Sequence, residues 1–542
     1  MSWKHKLADR TPIERSSAGL VLVSGAIAVA LAFPLLWLLI EAATVDPDRA
    51  RELLFSGGTL DVLLNSFLLM GGVTGFSILI GVPLAYLTVR TDLPFRRFWS
   101  VAVALPLVVP SYVGAFAFVS AFGPRGEFHT LLAPLGVDRL PEIYGLPGSV
   151  FVITLYTYPY VYLTTRAALL SFDTQLIDAA RTLNHGRWAS FRRVTLPQVR
   201  PAIAAGALLA ALYAVSDFGT PAIMRLSVFT RQIYVEYNAF GRDYASLLSL
   251  QLLGVVLVVL VLEWAIRSDR TVQGANATRA GSRIRLGTWR WPATALPAAV
   301  TTIALAVPIW ILLLWLGRSD TGRRPSMAFE WIQVINSVTI AAAAAIVAAL
   351  AALPIAYFAA THDSRLATLF ERTTYVGFAV PGIVLALALV YFGAGYLPWL
   401  YQTLPLLVFA YVVRFLPQAV GSTRAALLQV DPSLQAAART LGRSPRAAFR
   451  EVTLPLVAPG LLAGTALVFL TTMKELPATL LLRPTGFDTL VIRVWRGESA
   501  GYFGAAALPA LILVVVSALS MFVLLSQEGY EGPSLGGEEG GE

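Results

Sequence analysis

The chain reads as an all-α polytopic membrane protein, with about twelve transmembrane helices in two parallel, pseudo-symmetric six-helix halves. Three observations predict this. First, 56% of the 542 residues are hydrophobic and only 13% are charged, and the mean hydropathy is +0.68. A soluble chain of this length carries far more charge. Second, apolar runs of about twenty residues recur along the whole sequence, each long enough to cross a bilayer's hydrocarbon core. Third, residues 178–206, DAARTLNHGRWASFRRVTLPQVRPAIAAG, and residues 436–464, AAARTLGRSPRAAFREVTLPLVAPGLLAG, share 16 identities in 29 positions. An internal repeat of this kind fixes the architecture.

The predicted spans are 17–42, 62–89, 98–121, 148–170, 201–217, 244–266, 292–316, 332–360, 373–394, 402–424, 459–473 and 503–526. Helices are the default because every backbone polar group in lipid needs an internal partner. The first apolar run is too long for a signal-peptide core and lacks a small-residue cleavage site, so it is expected to stay as a membrane helix. The duplication extends beyond the opening repeat. Asn65-Ser66 matches Asn336-Ser337, Pro83 and Tyr86 match Pro354 and Tyr357, and Pro110 matches Pro381, all at a spacing of 271. From Thr165 and Thr423 onward the spacing is 258, so the first half carries about 13 extra residues between its third and fourth spans. Six spans per half give both halves the same orientation. They should be related by an axis along the membrane normal, with a pathway between them. The chain then divides into a first half (1–266), a polar, Arg-rich linker (267–291), a second half (292–526) and an acidic, Gly-rich tail (527–542) expected to be disordered.

The net charge of +9 comes almost entirely from Arg, with Lys only at 4, 6 and 474. It reads as a topology signal and not as nucleic-acid binding. With the N-terminus in the cytoplasm, about 26 basic residues fall inside and about 14 outside, so both termini and both repeated segments are expected to be cytoplasmic. The absence of cysteine excludes disulfides, thiolate metal sites and cysteine nucleophiles. The four His, at 5, 129, 185 and 362, are scattered, and no metal site is assigned.

Each repeated segment predicts a helix, a turn and a second helix. Asp173 and Asp431 stand where a helix entrance is capped. Asn184-His185-Gly186 and Gly442-Arg443-Ser444 break the helix. A short second helix, carrying Phe191 or Phe449, is expected to end before Pro197 or Pro455. The pattern resembles the cytoplasmic EAA loop of ABC importer permeases, of the form E-A-A-x3-G-x9-I-x-L-P. Asp178, Ala179, Ala180, Asn184, Leu196 and Pro197 fit it in the first half, and Ala436, Ala437, Ala438, Gly442, Leu454 and Pro455 in the second. Neither copy has the leading Glu, and the first replaces the turn glycine with Asn184, which tolerates a left-handed backbone. The resemblance implies a type I ABC importer permease-like fold whose two segments, coupling segments 178–197 and 436–455, dock on a dimer of ATPase subunits. Charge reversal at Arg181 and Arg439 is expected to weaken that docking.

No lysine is followed by the Ser or Thr of a phosphate-binding loop: Lys4 precedes His5, Lys6 precedes Leu7 and Lys474 precedes Glu475. The chain is therefore expected to be a transport subunit with no bound cofactor, ATP and Mg being held by the partner ATPase. The stretches from Ser216 and from Thr471, together with the fused halves, are similar to ferric-iron ABC permeases. That resemblance implies a periplasmic substrate-binding protein as partner and a bacterial inner-membrane location. Phosphonate and thiamine permeases share parts of the pattern. An ion-coupled secondary transporter also uses repeated halves, but gives no reason for two matched docking segments.

Pathway candidates are Asp217 and Glu475, which align at the 258 spacing, with Lys474, Arg414 and Tyr158. Two carboxylates suit a hard, highly charged cation. Alternatively, Glu475 pairs with Lys474 or a nearby Arg, and Asp217 caps a short helix. The row Tyr156, Tyr158, Tyr160 and Tyr162 offers phenol oxygens or ordinary aromatic packing.

Overall fold

A computed structural model describes residues 12–123, 126–136, 143–171, 186–268, 284–318, 328–362 and 364–527. Among these residues the regular secondary structure is helical, with one isolated bridge between Thr91 and Ile284. Eight helices are long and apolar enough to cross a membrane, and ten if each of two bent pairs counts as one span. The other two predicted spans are Gly145–Leu170, made less apolar by its four tyrosines and Arg166, and Phe503–Gln527.

In each half the second, fourth and fifth spans form a three-helix core. Gly57–Arg90, Gly145–Leu170 and Leu196–Ser216 pack together in the first half, and Trp331–Thr361, Leu404–Gln429 and Leu454–Met473 in the second. The equivalent glycines Gly206 and Gly464 let the fourth and fifth spans touch. A Cβ on Gly206 would lie 2.6 Å from Val161 Cα, and one on Gly464 2.8 Å from Ala419 Cα. Without a hydrophobic force between helices in lipid, such small-residue contacts carry the packing. Large apolar side chains such as Leu22, Leu79 and Leu350 face outward.

The third spans differ from the straight helices expected over 98–121 and 373–394. Arg96–Val108 meets Ser111–Phe122 at 91°, and Arg365–Ala379 meets Gly382–Tyr396 at 99°. The cause is local. A residue before proline is pushed out of the helical region, and Val109-Pro110 and Val380-Pro381 are extended, with ψ between 129° and 136°.

A second departure concerns Pro197 and Pro455. The short helix does not stop before either. It passes through a π-helical turn, 191–195 or 449–453, and continues into the fifth span. A third π turn, 302–306, also stands two residues before a proline, Pro308. Proline clashes with the carbonyl four residues earlier, and a π turn changes the register there so that the helix continues.

The first helix of each half packs on the other half. Pro12–Ala43 lies against Arg365–Ala379 and Gly382–Tyr396. Phe33 and Trp37 sit edge-on to Phe392, at 4.7 and 5.1 Å. Reciprocally, Val307–Gly317 packs on Ser111–Phe122, and Arg318 pairs with Glu127. The linker's far end also docks on the first half. Ile284 N donates to Arg90 O (2.9 Å), Asp92 N to Ile284 O (3.2 Å), and Leu286 N to the Asp92 carboxylate (2.8 Å).

Candidate functional site

The proline bends bring the third spans to the ends of the fifth spans, along the seam between the halves. In the first half Ser111, just past the bend, donates to Asp217 Oδ2 at 3.1 Å. Asp217 follows the last residue of the fifth span, Ser216, and precedes the short helix Gly219–Ile223. In the second half Arg414 Nη1 lies 2.5 Å from Glu475 Oε1, with side-chain exposures of 20% and 2%. The other carboxylate oxygen accepts from Ala478 N (3.0 Å) and Thr479 N (3.3 Å), at the start of Pro477–Leu482.

The halves solve one problem with different chemistry. Gly382 occupies the place of Ser111, and a Cβ there would lie 1.6 Å from Arg414 Nη1. Arg414 occupies the place of Tyr156, whose hydroxyl instead donates to Ala304 O at 3.3 Å, across the seam. Both carboxylates are thus already engaged: Glu475 by an ion pair and helix amides, and Asp217 by the Ser111 hydroxyl and by hydrogen bonds from Gly219 and Thr220 at the start of the short helix.

Lys474 reaches the first half. Its Nζ donates to Val108 O at 3.4 Å, and Tyr112 donates to Lys474 O at 3.4 Å. Among the described residues no carboxylate comes within 4.0 Å of that ammonium. Tyr158 stands away from the seam. It donates to Val103 O (2.6 Å), and Tyr162 to Ser100 O (3.0 Å), so these two brace the bent third span. Residues four apart share a helix face. That period separates Tyr158 and Tyr162 from Tyr156 and from Tyr160, which packs on Tyr213.

In the second coupling segment Asp431 accepts from Ser433 N (2.8 Å) and starts the helix Pro432–Thr440. Gly442 has φ 84°, a left-handed turn. Ser444 accepts from Ala447 N (3.3 Å) and starts the next helix. Ala436, Arg439 and Gly442 are exposed. Asp178, Ala179, Ala180, Arg181 and Asn184 lie outside the described residues.

Sequence reasoning identified the repeats but not which of them touch. Tyr357 of the second span meets Phe449 edge-on at 5.1 Å, and Gln435 Nε2 donates to Tyr357 OH at 3.2 Å. The first half repeats the ring contact between Tyr86 and Phe191, at 5.2 Å. The available signal was that both tyrosines and both phenylalanines recur in the two halves.

Two helical halves pack on one another, and in each an aromatic pair, Tyr86–Phe191 or Tyr357–Phe449, ties the residues just before the fifth span to the second span, an arrangement that suits a membrane permease. The chain belongs to the family of binding-protein-dependent transport system inner membrane components, whose model matches residues 77–270 and 352–526. It is an ABC importer permease, a transport subunit and not an enzyme. It is 32% identical to the Fe(3+)-transport system permease protein FbpB 2 of Haemophilus influenzae, over 92% of this chain and 96% of that one. It is 25% identical to the ferric transport system permease protein FbpB of Actinobacillus pleuropneumoniae, over 89% and 73%. A probable molybdenum permease of Haloferax volcanii is 31% identical but covers 42% of this chain.

Proposed function

We propose that this chain is the membrane-spanning subunit of an ATP-driven importer of ferric iron. The observation that carries the substrate is the end-to-end likeness to a ferric-transport permease with both halves in one chain; the molybdenum-named relative matches less than half. A periplasmic-type binding protein delivers the cargo on one face. On the other face, a dimer of ATPase subunits holding ATP and Mg seats the two coupling segments. The chain lies in a bacterial inner membrane with both termini cytoplasmic, an orientation supported by the distribution of its basic residues.

Closure of the ATPase dimer would move the coupling helices. The Tyr357–Phe449 and Tyr86–Phe191 contacts carry that motion to the second spans. The bent third spans and the ends of the fifth spans then rearrange at the seam around Asp217, Lys474 and the Arg414–Glu475 pair. The test is reconstitution of the chain in liposomes with its ATPase and binding protein. Labelled ferric iron should accumulate only when ATP and both partners are present. Uptake of molybdate but not iron, or gradient-driven uptake by the chain alone, overturns the proposal.

A further inference from the structure

A pocket of about 480 Å³ opens between the halves, away from the Arg414–Glu475 pair. Its lining includes Tyr144 and Arg225 from the first half and Trp495, Glu498, Ser499 and Phe503 from the second. It lies in the segments that join the fifth and sixth spans, on the face opposite the coupling segments.

The repeat shows what is unusual there. Asn65 Nδ2 donates to Ser227 O and Asn336 Nδ2 to Asp488 O. Phe229 N donates to Ser66 Oγ and Leu490 N to Ser337 Oγ. This register pairs Arg225 with Gly486, and both are left-handed, at φ 57° and 81°. Glycine adopts that conformation freely, whereas a residue with a Cβ is strained in it. The first half thus keeps an arginine where its own repeat uses glycine, and such an outlier points toward function.

The neighbours of Arg225 give the reason. Among the described residues no carboxylate lies within 4.0 Å of it, and its guanidinium sits 4.8 Å above the Tyr144 ring. Arg483, near the equivalent turn, is by contrast paired with Asp488 at 2.9 Å. Glu498 also has no ion pair within 4.0 Å among the described residues; it accepts a hydrogen bond from Ser499 Oγ at 3.4 Å. Burial pushes the Glu498 carboxyl up to about 7, with Arg225 pulling it back down. Arg225 and Tyr144 are the charged and titratable groups facing it from the first half, and the helix Phe503–Gln527 contributes only Phe503.

A bare trivalent cation does not fit this pocket. The fixed charge is a guanidinium, burial disfavours the charged form of the one carboxyl, and no cluster of three His, Cys, Asp or Glu occurs among the described residues. The volume suits a small molecule. A guanidinium fork is matched to carboxylate or phosphate oxygens, and a protonated carboxyl adds a donor.

We propose that the pocket is a receiving site for iron carried as an anionic oxygen-ligand complex, with Arg225 and Glu498 holding the ligand's carboxylate or phosphate oxygens. This rests on the ferric-iron reading.

The test titrates the full chain in nanodiscs with ferric citrate, citrate alone, inorganic phosphate and molybdate, following tryptophan fluorescence. Trp495→Phe identifies the signal from the pocket. Ferric citrate should quench Trp495 saturably. Arg225→Gly, which installs the residue the second half uses, should leave folding intact and weaken binding about 10-fold or more. Glu498→Gln should retain binding. Unchanged binding by Arg225→Gly overturns the site, as does its loss in Glu498→Gln, which would make the carboxylate a metal ligand. If the wild type binds phosphate or molybdate through Arg225 but ignores ferric citrate, the ferric reading fails while the anion site stands.

Discussion

Replacing Arg414 with Gln leaves Glu475 as a buried carboxylate without its cation. Removing one member of a buried pair costs about 3–5 kcal/mol, because the remaining charge is uncompensated. Two features move this case toward the lower end. The Arg414 side chain is 20% exposed, so it is not fully desolvated. Glu475 also keeps the Ala478 and Thr479 amides, and hydrogen bonds to a charged group contribute about 1.5–3 kcal/mol each. We therefore expect a loss of about 3 kcal/mol. The double variant Arg414→Gln/Glu475→Gln removes the charge as well as its partner and should recover most of that loss. Thermal unfolding of the purified chain in detergent, followed by tryptophan fluorescence, reads the order. Wild type should be most stable, the double variant intermediate and the single variant least stable. A single variant as stable as wild type, or a double variant below the single, would refute the view that the pair neutralises Glu475.

Gly382→Ala places a methyl where the Arg414 guanidinium now sits. It should cost about 1–3 kcal/mol by overpacking, and much less in an Arg414→Ala background because the two sites are coupled; an additive double variant would contradict this. Arg439→Glu should weaken co-purification of the ATPase at least about 5-fold, an effect of about 1 kcal/mol, while the chain's own melting is unchanged. Phe449→Ala should leave ATPase binding in place but lower the uptake per ATP hydrolysed, since it removes the ring against Tyr357; unchanged coupling would refute the aromatic relay. Glu498 gives a pH signature. Its folded carboxyl titrates near 7 against an ordinary 4.5, so between those values the unfolded chain has released a proton that the folded chain still holds. Stability therefore falls as pH rises through this window. Ferric citrate binding should likewise weaken from pH 6 to pH 8, and Glu498→Gln should flatten both trends.

The duplicated architecture was legible because it is written in residue identity: Asn65 and Asn336, Pro110 and Pro381, and the coupling segments all recur. The right-angle bends were hidden from a hydropathy reading, since an apolar run keeps its mean value whether or not it is folded over. The X-Pro steps at Val109 and Val380 carried the signal. The path through Pro197 and Pro455 was misread because proline usually ends a helix, and a π turn leaves no mark in composition. Arg414 was noticed as a charge within a span, but its partner Glu475 lies 61 residues away, so only tertiary structure could select Arg414 over the adjacent Lys474 as the cation that pairs with Glu475.

The crossing of the first helices has a consequence for how the protein is made. Phe33 and Trp37 leave the ribosome long before Phe392, which they pack against. At about 5–20 residues per second, the first helix waits roughly 20–70 s in the membrane for its partner. During that interval its contact face must be held by lipid or by an insertion factor. Carrying both halves on one chain ensures that the partner that arrives is the right one.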